Sequence, residues 1–323
     1  MKALCVFSGG LDSMLAAQLV RAQDIEVLAL FFETPFFRSQ GAVASAQRLQ
    51  LPIKVLDITE RHLEMVRRPK HGYGGHMNPC IDCHTLMFRI AGELLEEEEA
   101  CFVITGEVLG QRPMSQNRNA LSLIARECGL QGLLLRPLSA KLLPPTTPEE
   151  ERWVNRELLM DFRGRSRKPQ MELARRMKIT DYPSPAGGCV LTETDFSKRL
   201  KDLFDSKPEV EIREIELLKL GRHFRIASDA KLIVGRNKKE NEAIRALSRE
   251  KDLLMNAVSV PGPSVLFLGH PSPEVLETAR AITASYSDTE GLNSVAVKIT
   301  GKTGESLSSV GVPDKASFRR YMI

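Results

Sequence analysis

The chain has 323 residues and a hydrophobic content of 42%, which leaves room for two or three domains with ample cores. No apolar run of about 18 residues occurs, so no membrane partner is expected, and the N-terminus enters a strand pattern without a leader, which reads as cytoplasmic. Six cysteines in a chain of this size and compartment argue against a disulfide framework, and a net charge of +4 (45 basic, 41 acidic residues) is too mild by itself to specify a nucleic-acid binder.

Residues 3–7 read as an apolar strand and residues 12–22 as a helix. Between them stands Ser8-Gly9-Gly10-Leu11-Asp12-Ser13. Gly9 and Gly10 lack a Cβ, so they tolerate positive φ and let a ligand approach the backbone. The free N–H groups and positive dipole end of the following helix favour an anion there, and Ser8 and Ser13 add hydroxyl donors. Asp12 suits a Mg²⁺ ion or a helix start rather than a phosphate. The same residues could form an ordinary capped corner. Their place at the end of a first buried strand, where open α/β sheets bind ligands, favours a site. Residues 26–32 then read as a continuous apolar strand, 36–50 as a helix and 53–57 as a third strand. This βαβαβ order predicts an α/β fold with a doubly wound parallel sheet.

The SGGLDS loop resembles the pyrophosphate loop of the N-type ATP pyrophosphatases, which have an adenine-nucleotide α-hydrolase fold and split ATP into AMP and pyrophosphate. No Walker GxxxxGK[ST] pattern competes with it. The resemblance implies ATP and Mg²⁺ as cofactors, with Ser8, Gly9, Gly10, Asp12 and Ser13 around the phosphates. It also implies adenine packing at the end of the second strand, near Phe32 and the tip Glu33–Phe37. Phe36 and Phe37 read equally well as that lid and as core.

Asn78-Pro79-Cys80-Ile81-Asp82-Cys83-His84 lies between a glycine-bearing loop and a helical run over 85–95. The C-x-x-C spacing near a helix start is expected to lower thiol pKa and to aim both sulfurs one way. A c-type haem site does not fit the compartment. A structural zinc on Cys80, Cys83 and His84, a redox or persulfide pair, and an iron–sulfur cluster with further cysteines all remain open.

The acidic run Glu96–Glu99 reads as a solvated helix end, followed by a strand over 101–105. Cys5 and Cys101 read as small core residues. The loop Gly106-Glu107-Val108-Leu109-Gly110-Gln111, then Ser115-Gln116-Asn117, again follows a strand end. A fifth short strand at 133–135 precedes Arg136-Pro137-Leu138. These strings resemble the GE-x-x-GQ-x-x-SQ and RPL segments of tRNA 4-thiouridine synthetases, which implies RNA sulfur transfer and places Gly106 and Gln111 at the nucleotide. Roles for Glu107 and Gln116 are not assigned.

Residues 139–190 read as a linker and small helical module, with a helix over 149–162. Arg163, Arg165, Arg167 and Lys168 give four cations in six residues, and residues 151–180 hold nine basic against four acidic side chains. This is either a solvated face or a track for an RNA phosphate backbone. Tyr182-Pro183-Ser184-Pro185-Ala186-Gly187-Gly188-Cys189 follows, and its Pro/Gly content predicts an exposed loop. It resembles the second-cysteine loop of tRNA thiolation enzymes, including 2-thiouridylases, and N-P-C-x-x-C resembles their first-cysteine region. The resemblance implies a [4Fe–4S] cluster on Cys80, Cys83 and Cys189 whose open iron holds a hydrosulfide, or a persulfide pair; Cys80, Cys189 and Asp12 are the expected catalytic residues. Cys128 falls outside the motifs and reads as structural.

From residue 207 onward strand and helix patterns alternate as in a small α+β domain. Its Val234-Gly235-Arg236-Asn237-Lys238-Lys239-Glu240-Asn241 and Pro261-Gly262-Pro263-Ser264-Val265 stretches resemble the NFACT-R domain, an RNA-binding module. Arg222, Arg225, Arg236, Lys238 and Lys239 are then candidate phosphate contacts, set against plain surface charge. Aromatics are weak after Asp252. The expected division is 1–145, 146–206 and 207–323, with the last domain standing in for the RNA-binding modules that precede the loop in 4-thiouridine synthetases. The expected reaction is ATP-dependent tRNA uridine thiolation, with tRNA and a sulfur donor (sulfide or a persulfide carrier) as partners; a homodimer is left open. The alternatives are an adenylating sulfurtransferase or amidase for a small molecule, and an RNA- or ribosome-binding protein with a vestigial nucleotide loop.

Overall fold

Five parallel strands in the order β3-β2-β1-β4-β5 organise the first part of the chain: β1 (Lys2–Val6), β2 (Glu26–Glu33), β3 (Ile53–Asp57), β4 (Phe102–Thr105) and β5 (Leu134–Leu135). Ala3, Leu4 and Cys5 are all fully buried. A strand covered on both faces loses the apolar/polar alternation, which is why β1 and β2 read as unbroken apolar runs. α1 (Leu11–Arg21), α2 (Gln40–Arg48) and later α7 (Lys168–Arg176) supply the core on one face. α3 (Thr59–Arg67), α4 (Cys80–Glu93) and α5 (Arg118–Glu127) cover the other. The chain runs outward from β1 to β3, then returns to lay β4 on the other side of β1. The crevice beyond the C-terminal ends of β1 and β4 is therefore the topological switch point, where such sheets bind ligands.

The computed structural model describes residues 1–184, 189–302 and 304–323. They divide into two units, Met1–Thr192 and Glu193–Ile323. The segment 146–206, expected as a separate linker module, is shared between these units. Pro185–Gly188, part of the motif that carries Cys189, lies outside the described residues.

The helix expected over 149–162 is α6 (Thr147–Glu150) alone, followed by a single 3-10 turn at Arg156–Leu158. Thr146 and Glu149 form a capping box that starts α6, but Arg152 takes a left-handed backbone (φ 59°), which an α-helix does not accommodate.

The second unit opens with α8 (Thr194–Ser206) and α9 (Ile212–Leu218) and then builds an antiparallel sheet in the order β11-β10-β8-β9-β7-β6. Its strands are β6 (Arg222–Ala227), β7 (Ala230–Val234), β8 (Leu253–Ala257), β9 (Val265–Gly269), β10 (Ser294–Gly301) and β11 (Gly304–Gly311). α11 (Pro273–Ser285) packs its Ala279 and Ile282 with Phe224, Val265 and Phe267 in one core. α10 (Lys238–Leu247) and α9 contribute Ile244 and Leu217 to a second cluster with Ile233 and Leu266, side chains that point away from the first along the same strands.

Candidate active site

The loop after β1 and the first turn of α1 form one wall of a cavity of about 450 Å³ at the switch point. Ser8, Asp12 and Ser13 line it, with Phe32 and Phe37 from the end of β2, Cys80 and Cys83 from α4, Gly106 and Gln111 from the loop after β4, and Cys189. Residues from both ends of the first unit thus share one space, with the expected phosphate ligands and all three motif cysteines among them.

The two glycines of the loop differ. Gly9 has φ +75°, and a Cβ there would stand 2.6 Å from Ala42 Cα, so it serves the seating of α2 against the loop. Gly10 is the N-cap of α1 in extended backbone (φ −78°), not in the positive-φ region expected for both. A methyl group added at Gly10 would meet Ser8 Oγ as its nearest neighbour, at 3.4 Å. Among the described residues no side chain caps α1, which leaves its first-turn N–H groups facing the cavity. Ser13 Oγ donates to the Gly10 carbonyl (2.8 Å) and lies 3.3 Å from Ser8 Oγ.

Gly106 permits another close approach. A Cβ there would lie 2.5 Å from Asp12 C and Ser13 N, so the end of β4 lies directly on the first turn of α1.

Asp12 is held from one side only. Gln111 Nε2 donates to its Oδ2 (2.8 Å), and Gln170 Nε2 of α7 donates to Gln111 Oε1 (3.2 Å). The other carboxylate oxygen, Oδ1, is buried without a hydrogen-bond partner among the described residues. A one-sided carboxylate on a phosphate-type loop has the chemistry of a Mg²⁺ ligand. Gln111 therefore acts on the carboxylate, and Gln170, buried to 1% exposure, fixes the amide of Gln111.

Cys80 and Cys83 fall in the first turn of α4. The lowered thiol pKa expected from that position is not found. Burial pushes the Cys80 thiol up against the opposing pull of Arg112 and Asn78. Burial pushes Cys83 up further, and Cys189 and Cys80 add to that rise, as neighbouring anions would. Desolvation outweighs the helix end here. Cys83 Sγ lies 3.5 Å from Nε2 of His62, a fully buried imidazole between the rings of Phe36 (5.5 Å) and Phe37 (5.8 Å). Burial depresses His62 to about 4, so the ring is neutral at physiological pH. Phe36 is core against His62, whereas Phe37 also faces the cavity. Met77 N donates to the Leu191 carbonyl (3.2 Å), which ties the loop before Cys80 to the turn after Cys189.

No three His, Cys, Asp or Glu side chains among the described residues converge closely enough to hold a single metal ion. His84, a candidate zinc ligand, instead donates from Nδ1 to Glu107 Oε1 (2.7 Å), and Arg136 Nε donates to Glu107 Oε2 (2.8 Å). Burial raises the Glu107 carboxyl, but Arg136 and His84 outweigh it and hold it below the ordinary value. Three thiols lining one cavity retain the donor chemistry of a cluster, which is larger than a single ion and spaces its thiolates more widely.

The basic run begins where Gly164 N donates to the Leu109 carbonyl (2.8 Å), two residues from Gln111. Arg163, Arg165 and Lys168 are exposed, and Arg167 is half-buried. In the second unit Lys238 and Lys239 are exposed, Arg236 is exposed but clasps Glu240 (3.0 Å), and Arg225 clasps Asp202 (2.8 and 2.9 Å). His62 and Gln170 carry no sequence signal, since each gains its role from a partner on another element. Glu107 and Arg136 lie within motifs legible in the sequence, but their pairing with each other and with His84 is not.

Comparison with known proteins divides the chain as the fold does. Residues 1–141 match the family described as Thiamine biosynthesis protein (ThiI), and residues 221–322 match the NFACT protein RNA binding domain. A probable tRNA sulfurtransferase of Anoxybacillus flavithermus is 24% identical over 193 residues, 48% of this chain and 47% of that protein. One from Thermotoga maritima is 28% identical over 149 residues, 43% of this chain and 36% of its own. A tRNA-specific 2-thiouridylase of Karelsulcia muelleri is 29% identical over 122 residues, 34% of this chain and 32% of its own. The chain thus spans less than half the length of these relatives. No helix among the described residues is long and apolar enough to cross a membrane. Residues 1–141 are similar to the ThiI family, other relatives of the chain are named tRNA sulfurtransferases, and residues 221–322 are similar to the NFACT RNA-binding domains.

Proposed function

We propose that the chain catalyses ATP-dependent thiolation of a uridine in tRNA. The observation that carries this reading is the shared cavity, which joins a phosphate-type loop on a helix N-terminus to three motif cysteines. Uracil carbonyl oxygen is a poor leaving group. Attack of that oxygen on the α-phosphorus of ATP forms the C–O–P linkage of an adenylate and expels pyrophosphate. A sulfur nucleophile then attacks the same carbon, the C–O bond breaks, and AMP departs with the oxygen.

Ser8, Ser13 and the first-turn N–H groups of α1 hold the departing pyrophosphate, and Gly10 leaves the backbone open to it. Asp12 offers its unpartnered Oδ1 to Mg²⁺, while Gln111 and Gln170 keep that oxygen turned to the cavity. Mg²⁺ would neutralise charge on the phosphates. Phe32 and Phe37 provide the apolar wall for the adenine. Cys80, Cys83 and Cys189 would hold a [4Fe–4S] cluster, whose chemistry supplies sulfide as the nucleophile; a persulfide on Cys189 resolved by Cys80 is the alternative. The exposed cations of residues 163–168, anchored at Leu109 near Gln111, suit the tRNA backbone at the cavity mouth.

The test is nucleoside mass spectrometry on unmodified tRNA. Protein reconstituted anaerobically with iron and sulfide is given ATP, Mg²⁺ and sulfide. A 2-thiouridine or 4-thiouridine peak supports the reading and places the sulfur on the ring. A preparation that holds cluster and binds ATP but yields no thiolated nucleoside overturns it in favour of another acceptor.

A further inference from the structure

Resting on the reading of tRNA as substrate, we propose that the second unit grips RNA phosphates with a cation cluster made of Arg222 and Lys315 around Tyr286 and of Arg319 and Arg320 on the turn that carries Lys315. The glycine-linked basic stretch at Arg236 and Lys238 is not the main contact.

Three elements build the cluster. Arg222 opens β6, Tyr286 caps the end of α11, and the other cations ride on a 3-10 turn, Lys315–Tyr321. Phe318 anchors that turn at 7% exposure, and a backbone bridge between Phe224 and Met322 fastens it beside β6. The Arg222 guanidinium sits 5.3 Å and the Lys315 ammonium 5.5 Å from the Tyr286 ring centroid. An aromatic face fixes a cation in place without supplying a counter-charge, so its donors remain available for a phosphate. Arg320 repeats the arrangement 4.7 Å from the Tyr321 ring.

None of these four cations is ion-paired among the described residues. Arg225 and Arg236, by contrast, spend their charge on Asp202 and Glu240. The turn Lys315–Tyr321 contains three cations and no acid. Unpaired cations interleaved with tyrosine rings match single-stranded or looped RNA, which offers phosphates to the first and unstacked bases to the second. The cluster escapes sequence inspection because nearly a hundred positions separate Arg222 from Arg320.

The experiment measures binding of unmodified tRNA to the full chain across a KCl series. Each lost phosphate contact reduces the log–log salt slope by about 0.7–0.9. The Arg222→Gln/Lys315→Gln/Arg319→Gln/Arg320→Gln variant is expected to reduce the slope by about 3, and the Arg236→Gln/Lys238→Gln variant to leave it near wild type. Arg319→Gln/Arg320→Gln alone touches only exposed side chains and is expected to take away roughly half of that change. It keeps the test alive if the quadruple variant folds poorly. An unchanged slope in both cluster variants, or a fall confined to the Arg236/Lys238 variant, overturns the assignment while tRNA binding stands. Wild-type protein that shows no salt-dependent tRNA binding overturns the tRNA reading itself.

Discussion

Gly9 and Gly10 stand side by side and answer to different constraints. Gly9→Ala combines a strained φ with a clash on Ala42, and strain of that kind costs about 1–3 kcal/mol. Its melting temperature should fall. Gly10→Ala meets no such conflict and should melt within a degree or two of wild type yet lose ATP binding, because its methyl occupies the approach to the α1 N-terminus; calorimetry and ATP titration on the two proteins check both statements. Gln170→Leu removes only the support of Gln111, so Asp12 keeps its charge but loses its fixed orientation. Supports of this type are worth about 10- to 100-fold in metal affinity, and the Mg²⁺ needed for half-maximal ATP/pyrophosphate exchange should rise by about tenfold. A Mg²⁺ requirement equal to wild type would mean that Gln170 serves packing alone. Cys189→Ala should abolish thiolation while ATP still binds, and retained thiolation would rule out the cluster and persulfide versions together. The loop serines, Asp12 and the three cysteines were legible because each sits in a short motif. Gln170 and His62 were not, since each acquires its partner across 59 and 21 positions respectively.

At the scale of elements, Glu107 joins three of them. It follows β4, accepts from Arg136 just beyond β5 and from His84 in the first turns of α4, and is only 4% exposed. Its carboxyl is held below the ordinary value of 4.5. A depressed acid contributes stability that is fully present above the unfolded value and is lost as pH falls through the folded one. Chemical denaturation between pH 6 and pH 3 should therefore show a steeper acid loss for wild type than for the Glu107→Gln/Arg136→Met pair. The double replacement avoids the roughly 3–5 kcal/mol cost of stranding one buried charge. Equal slopes would show that Glu107 is protonated alike in both states. The βαβαβ opening was readable because doubly covered strands leave long apolar runs and glycine-marked turns separate them. The helix expected over 149–162 failed on a single left-handed residue, Arg152, which composition does not reveal. β11 went unread because its Gly-Glu-Ser-Leu-Ser-Ser-Val-Gly carries little apolar signal for an edge strand.

For the whole molecule, the net charge of +4 conceals how unevenly usable charge is distributed. Many cations are committed to carboxylates, as Arg136, Arg225 and Lys231 are. Among the cations without a carboxylate partner in the described residues, two groups bear on the proposed function, one at residues 163–168 in the first unit and one beside Tyr286 and Tyr321 in the second. A tRNA that engaged both sets would couple the proposed nucleotide site to the proposed RNA-binding surface of the second unit, and each set would then raise the effective concentration of tRNA at the other. Replacing Arg163, Arg165 and Lys168 with Gln should raise KM for tRNA in the thiolation assay and leave KM for ATP unchanged. The same should hold for the cluster variant of the second unit. If one tRNA spans the two, the combined variant should lose more than the product of the separate losses at low protein concentration, because removing either anchor forfeits the avidity of the other. Strict multiplication of the two losses would mean independent encounters, and a combined variant no worse than the first-unit variant would remove the second unit from substrate capture altogether.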